Sequence, residues 1–444
     1  MSGPKKADCV TLDAGGLLFR HASRARPHTH PPALPHPMKL TLDDLPADAL
    51  TEGKRALVRV DFNVPLEDAG DGEQHRVGDD LRLRAALPTI EAITQTGAKA
   101  VLMSHLGRPG GEREGDLSLR PVAERFEELL GRPVHFCEET VGNKAEAVIE
   151  QLTDGGVVLL ENTRFDPGEK ANDDDFAAAL AALGDVFVGD AFGAVHRAHA
   201  STVGAARVMQ SDGKLAAMGR LVERELDALG RLLSGAPERP FVAALGGAKV
   251  SDKLGVIERL LDVADTLLIG GAMSYTFLKA RGRGVGDSLV EDDRTGDAER
   301  LLDDAGDRLL LPTDHVVADD LDASADHHIT DGDVPGGLLG VDIGPETAGR
   351  YQEEIRHAQT VAWNGPMGVF EAEPFAKGTR AVAETVAEAT DAGAYTVAGG
   401  GDSAAALSQM GFADRISHLS TGGGAMLGFL EGETLPGVEA LSER

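Results

Sequence analysis

Short, nearly unbroken apolar runs alternate with helical stretches from Met38 onward, and this rhythm constrains the fold more than any single residue. ALVRVDFNV, KAVLMSHLG, GVVLLENTRF and DVFVGDAFG read as strands in the first half; RPFVAALGG, TLLIGGAM, TVAWNGPMG and AYTVAGGGD do so in the second. Stretches such as LSLRPVAERFEELLG and DDFAAALAALG lie between them with helical spacing. Strands apolar on both faces, alternating with helices, build parallel sheets covered on both sides. The expected fold class is α/β: two Rossmann-like domains with parallel sheets, separated by a cleft and joined by a long helix. That helix is placed at 216–234, where Met218, Leu221, Val222, Leu226, Leu229, Leu232 and Leu233 recur near a helical period.

Length and composition agree. A chain of 444 residues with 42% apolar content can bury two large cores. No run approaches the ~18 apolar residues of a membrane-spanning helix. Cys9 and Cys137 are far apart and in no metal-ligand spacing, which fits a reduced, cytoplasmic setting. Acidic residues outnumber basic ones, 73 to 43, for a net charge of −30. Nucleic-acid binding is excluded on that balance, since phosphate contacts need Lys and Arg. An acidic surface of this kind suits high salt, where self-repulsion is screened. Residues 1–37 differ from the rest. They carry Lys5, Lys6, Arg20, Arg24 and Arg26 against Asp8 and Asp13, and end in RPHTHPPALPHP. This stretch reads as a disordered extension or a mis-assigned start, without the apolar core of a signal peptide.

In open parallel sheets ligands bind beyond the carboxyl ends of the strands, and the polar residues here collect at those ends. The first half supplies Asp61 and Asn63, then His105 and Arg108, then Arg164, and then Arg197 between His196 and His199. Arg82 precedes a helical run. Guanidinium groups converging from separate strands suit a carboxylate or phosphate, although any one alone could be a structural ion pair. In the second half Gly246 and Gly247 precede Lys249 and Lys253, whose spacing puts them on one face if the segment is helical. A polyanion would account for the pair; two solvated lysines is the plainer reading. Gly399, Gly400 and Gly401 precede Asp402, Ser403 and a helical run, a pattern that cradles phosphate at a helix N-terminus. Asp402 is placed to hold Mg²⁺, with a helix cap as the plainer role for Asp402 or Ser403. Thr421 with Gly422, Gly423 and Gly424 repeats the pattern. No GxxxxGK[ST] run occurs, and GRGVGD at 282–287 follows no strand.

RVDFNVPL, SHLGRP, LLENTRF, DAFGAVHRAHAS, LGGAKVSDK, WNGPMGVFE, AGGGDS and STGGGA stand in the order seen in phosphoglycerate kinases, and the chain resembles that family from about Met38 to Leu441. The resemblance implies reversible phosphoryl transfer between ATP and the carboxylate of 3-phosphoglycerate, giving ADP and 1,3-bisphosphoglycerate, with Mg²⁺ as cofactor. It assigns 38–215 to the acid, 216–234 to an interdomain helix, 235–418 to the nucleotide, and 419–444 to a hinge and a tail returning to the first domain. Asp61, Phe62, Asn63, Arg82, His105, Leu106, Gly107, Arg108, Arg164 and Arg197 match the acid-binding residues. Gly246, Lys249, Lys253, Asn364, Glu371, Gly400, Gly401, Asp402 and Ser403 match the nucleotide site, with Asp402 as metal ligand and Glu371 at the ribose. Arg82, Lys253 and Lys249 are the implied catalytic groups, and Thr421, Gly422 and Gly423 belong to closure. Ala194, Val195, Ser403 and Gly428 depart from the usual residues without removing a charge.

The nucleophile is a carboxylate, ionised at neutral pH, so no general base is required. Catalysis reduces to aligning two anions and stabilising the transferring group. Small-molecule substrates, a monomer and a cytoplasmic setting follow, with no nucleic acid and no membrane. A dinucleotide-dependent dehydrogenase would need an early GxGxxG turn, which is absent. A non-catalytic scaffold is disfavoured because every charged position of the family pattern is filled.

Overall fold

The computed structural model describes residues 39–68, 75–233 and 237–444. The extension expected over 1–37, the Met38 boundary and residue 234 of the connecting helix lie outside those residues.

The first lobe opens with β1 (Arg55–Val60), a small hairpin of β2 (Leu66–Glu67) and β3 (Arg76–Val77), and α1 (Leu81–Gln95). It continues through β4 (Lys99–Met103), α2 (Arg120–Leu130), β5 (Val134–Cys137), α3 (Asn143–Gln151) and β6 (Val157–Leu160). Then come α4 (Pro167–Ala171), α5 (Asp174–Ala181), β7 (Val186–Asp190), α6 (Ala205–Ser211) and β8 (Ala216–Met218). The six longer strands form one parallel sheet in the order β5-β6-β4-β1-β7-β8. Its central strand, RALVRV, is buried along all but its first residue, as a strand covered on both faces must be.

The connecting helix α7 spans Arg220–Leu233. Its expected start at 216 is corrected: Ala216–Met218 extend the sheet as its edge strand, paired with β7. Two alanines and a methionine, all buried, fit this edge, and the helix starts where a partner for its free N–H groups exists. Asp190, at the end of β7, accepts from Leu221 N at 2.9 Å.

The second lobe contains β9 (Phe241–Leu245), α8 (Leu254–Val263), β10 (Thr266–Ile269), α9 (Met273–Ala280), α10 (Thr295–Ala305) and β11 (Leu309–Leu310). β12 (Asp314–Ala318), β13 (His327–Asp331) and β14 (Leu339–Ile343) follow. The lobe continues with α11 (Pro345–His357), β15 (Thr360–Asn364), α12 (Lys377–Asp391), β16 (Tyr395–Gly399), α13 (Gly401–Met410) and β17 (His418–Ser420). Its parallel sheet runs β11-β10-β9-β15-β16-β17, and β13-β12-β14 form a separate antiparallel sheet not foreseen in the sequence.

After β17, α14 (Gly423–Glu431) and α15 (Pro436–Glu439) lead the chain back to the first lobe. Ser442 N donates to Ala216 O and Gly437 N to Val195 O, both at 2.8 Å. Lys39 bridges Glu443, its ammonium donating to Leu441 O at 2.9 Å, and Arg444 pairs with Asp44. All these residues belong to one unit, 32–444.

Candidate active site

The four central strands of the first sheet, β6, β4, β1 and β7, end side by side, so the loops beyond them meet at one edge. Beyond β1, Asp61 is buried and pairs with Arg82 of α1 at 3.3 Å. Phe62 is buried, and its N–H donates to Ser104 Oγ at 2.9 Å. Asn63 accepts Gly107 N at 2.9 Å on its side-chain oxygen and Arg82 Nη1 at 2.8 Å on its carbonyl. Asn162, beyond β6, clamps the SHLGRP loop: its side chain bonds both Leu106 N and Leu106 O, and accepts Arg164 N at 3.0 Å.

Arg164 is buried and donates to Gly107 O at 2.6 Å, while its Nε is enclosed with no partner. The guanidinium groups that gather at this edge suit a carboxylate or phosphate. Arg108 and Arg197 are exposed, and Arg197 Nε meets His196 Nε2 at 3.0 Å. Burial and then the guanidiniums of Arg59, Arg164, Arg197 and Arg82 hold the His105 imidazole far below its ordinary range. The four arginines come from four segments: β1, α1 and the loops beyond β6 and β7. Burial, then Arg197 and Arg59, bring Arg164 down to about 10; burial, then Arg164, Arg59, Arg197 and Lys170, bring His199 to about 4. Beside this edge lies a cavity of about 370 Å³ lined by Asn63, Leu106, Gly107 and Leu117.

In the second lobe the loops after β9, β15 and β16 pack backbone against backbone. Gly246 N donates to Asn364 O and Gly247 N to Pro366 O, each at 3.0 Å. A Cβ on Gly246 would lie 2.0 Å from Pro366 O, so only glycine fits this contact. Gly400, at φ +100°, turns the chain into α13, and Gly401 opens the helix. Neither bland reading of Asp402 and Ser403 holds, because no side chain caps α13. Ser403 is buried and instead accepts Gly365 N at 2.6 Å, tying two loops together. Asp402 is exposed at the head of the helix with no hydrogen-bond or ion-pair partner among the described residues.

Lys249 and Lys253 do not share a helix face. Both precede α8 in loop and turn conformation, where Gly246 and Gly247 have already diverted the chain. Lys249 is exposed and acts on Glu291, whereas Lys253 is buried against Asn364, donating to its carbonyl at 3.2 Å and to its side-chain oxygen. Burial brings the Lys253 ammonium down to about 8, with Asp402 and Asp252 pulling the other way. Glu371 is exposed on the turn after β15, apart from these contacts.

The two halves meet at Thr421. Its carbonyl accepts Arg82 Nη2 at 3.3 Å, and its N–H and hydroxyl donate to Glu225 of α7 at 2.7 and 2.9 Å. The other Glu225 oxygen faces His418 Nε2 at 2.7 Å, and this carboxylate is wholly buried. A Cβ on Gly422 would strike Phe192 of the first lobe, and one on Gly423 would touch Gly400 of the second. The sequence reading missed Glu225 and His418. A further gap of about 720 Å³ is lined from both lobes, by Arg76, Asp80 and Arg125 on one side and Ser408 and Asp414 on the other.

A glycine loop at a helix N-terminus on one lobe and a gathering of arginines on the other fit a two-lobed α/β phosphotransferase whose acceptor is itself an anion. Comparison with known proteins makes this specific. The family model for phosphoglycerate kinase matches residues 46–433. The phosphoglycerate kinase of Salinibacter ruber is 57% identical over 405 residues, covering 91% of this chain and 99% of that protein. That of Chloroflexus aurantiacus is 55% identical over 397 residues, covering 88% and 96%. Among solved structures, phosphoglycerate kinase from Coxiella burnetii aligns with a TM-score of 0.76 at 38% identity, and that from Pyrococcus horikoshii with 0.77 at 34%. Each alignment covers 90% of this chain and 98% of the other. This chain belongs to the phosphoglycerate kinase family. It is a kinase that moves phosphate between ATP and the carboxylate of 3-phosphoglycerate.

Proposed function

We propose that Arg82 and Lys253 contact the transferring phosphoryl group after the lobes close, with Lys249 assisting from the nucleotide side. A carboxylate oxygen of 3-phosphoglycerate bonds to the γ-phosphorus as the bond to the ADP oxygen breaks, and no proton moves. Arg164, Arg197, Arg108 and His105 anchor the acid, and Asp61, Phe62, Asn63, Leu106 and Gly107 shape its pocket. Gly246, Asn364, Glu371, Gly400, Gly401 and Ser403 form the nucleotide site, with Glu371 at the ribose. Asp402 would hold Mg²⁺, and its free carboxylate beside a helix N-terminus fits that role. Asp402 is a single carboxylate, and the nucleotide's phosphates would supply further ligands. The metal, when bound, neutralises charge on those phosphates.

Residues 38–215 then serve the acid, 235–418 the nucleotide, and 216–234 with 419–444 their relative motion. The observation that carries this reading is the position of Arg82, which touches Asp61, the Asn63 carbonyl and the Thr421 carbonyl at the junction. These contacts support the reading, in which closure brings the anions in line and excludes water. We take the enzyme to be a cytoplasmic monomer adapted to high salt by its net charge of −30. A coupled assay with ATP, Mg²⁺ and 3-phosphoglycerate tests the whole. Arg82→Ala should lower kcat by ~100-fold with small changes in either KM. A near-normal kcat would remove Arg82 from the transition state.

A further inference from the structure

Behind the acid pocket lies a buried polar chain that binding does not explain. Arg59 of β1 is 1% exposed, too enclosed to meet a ligand. Its Nε donates to Ser201 Oγ at 2.8 Å, and one Nη donates to Val60 O. Ser201 in turn donates from its hydroxyl and its N–H to Glu169, at 2.6 and 2.9 Å, and Glu169 is wholly buried. The other Nη of Arg59 lies 3.0 Å from Nδ1 of His105.

A guanidinium has only donors and keeps its proton. At 3.0 Å the contact with Nδ1 therefore needs a lone pair there, and the proton of a neutral imidazole must sit on Nε2. His105 retains 5% exposure, and its Nε2 is not among the enclosed atoms lacking a partner, so Nε2 is the ring's open atom. We propose that Arg59 is a positioning residue that fixes His105 as the tautomer protonated on Nε2, so that the ring presents a donor to an anionic acid. The opposite tautomer would turn a lone pair toward that anion. This rests on reading the cationic pocket as the acid's site.

The charged groups acting on His105 all oppose a second proton: Arg59 from β1, Arg164 beyond β6, Arg197 beyond β7 and Arg82 from α1. The neighbouring carboxylates, Glu169 and Asp61, act on Arg59 instead. The pocket thus gains a neutral donor, with orientation supplied by the ring and charge by the arginines.

The test is a ¹⁵N-histidine spectrum of the full chain, with His105 assigned through His105→Gln. It should show Nε2 protonated and Nδ1 unprotonated from about pH 8 to about pH 5.5, across the range where a free histidine titrates. A proton on Nδ1, or titration in that window, overturns the proposal without recourse to any Arg59 variant. In Arg59→Met the single-tautomer signature should disappear. KM for 3-phosphoglycerate should rise about three- to tenfold and become pH-dependent, while KM for ATP holds. Arg59→Lys, which keeps a donor, should restore the tautomer. A folded Arg59→Met with an unchanged ring and unchanged KM also overturns it. No turnover in the coupled assay, beside the expected spectrum, would instead strike the acid-site reading and leave the tautomer standing.

Discussion

Replacing Lys253 by methionine should make the free protein more stable and the enzyme inactive. The lysine's ordinary value of 10.5 falls to about 8 because the ammonium is buried. That gap corresponds to about 3 kcal/mol of destabilisation when the group is charged in both states. Below pH 8 folded and unfolded chains both hold the proton, so the cost is fully present. Between about 8 and 10.5 the unfolded chain binds more protons, and stability climbs with pH until the cost is gone. Methionine removes the charge but forfeits the bonds to Asn364, worth about 1–2 kcal/mol. The net gain at pH 7 is then about 1–2 kcal/mol, or a few degrees in Tm. Turnover should fall at least ~100-fold if Lys253 has the role proposed above, contacting the transferring group. Urea midpoints of both proteins at pH 7 and about pH 10 measure the stability effect. A Lys253→Met protein less stable than the parent at pH 7, or a difference that does not move with pH, would refute the reasoning. As a corollary, nucleotide binding near pH 8 should take up about half a proton, readable by calorimetry in buffers of different ionisation heat.

Three other outcomes are expected. Glu225→Ala leaves Thr421 and His418 without their buried acceptor and should cost about 3–5 kcal/mol by denaturation, whereas Glu225→Gln should cost less than half of that. Asp342 is buried beneath Gly368 and Gly378, accepts Gly378 N at 2.6 Å, and is pushed up to about 7 by burial. The folded chain therefore holds this proton longer than the unfolded one. Stability should fall between about pH 4 and pH 7, by up to about 4 kcal/mol, and Asp342→Asn should flatten that slope in a pH series of urea midpoints. Raising KCl from ~0.1 M to ~2 M should raise both Tm and kcat; full stability in dilute buffer would dismiss the salt reading of the acidic surface.

Both parallel sheets could be read from the sequence because their strands are continuously apolar and end in glycine or charge. β9 and β15 are buried along every residue, which leaves nothing but a doubly covered strand. The antiparallel β12–β14 sheet escaped notice because β13, HHITD, is almost wholly exposed and carries no burial pattern. Arg59 was overlooked for the opposite reason. In RALVRV a charged residue suggests a solvent face, yet helices cover both sides of this sheet and Glu169 supplies the counter-charge from far along the chain. Glu225 sits in the charged run VERELD, where local sequence cannot tell a buried carboxylate from exposed ones. The lysine pair was misplaced because i,i+4 spacing signifies a shared face only inside a helix, and Gly246 and Gly247 delay the helix to Leu254. Ser403 looked like a cap, but its partner Gly365 lies in the loop after β15.

The return of residues 436–444 to the first sheet bears on the order in which the protein matures during synthesis. Ala216, Val195, Lys39 and Asp44 wait for partners that the ribosome makes after everything else described here. The stretch from β9 to β17 is contiguous and owes nothing to that tail for its own sheet. On a growing chain the half translated second can settle first, and the half translated first stays unsealed until the tail emerges.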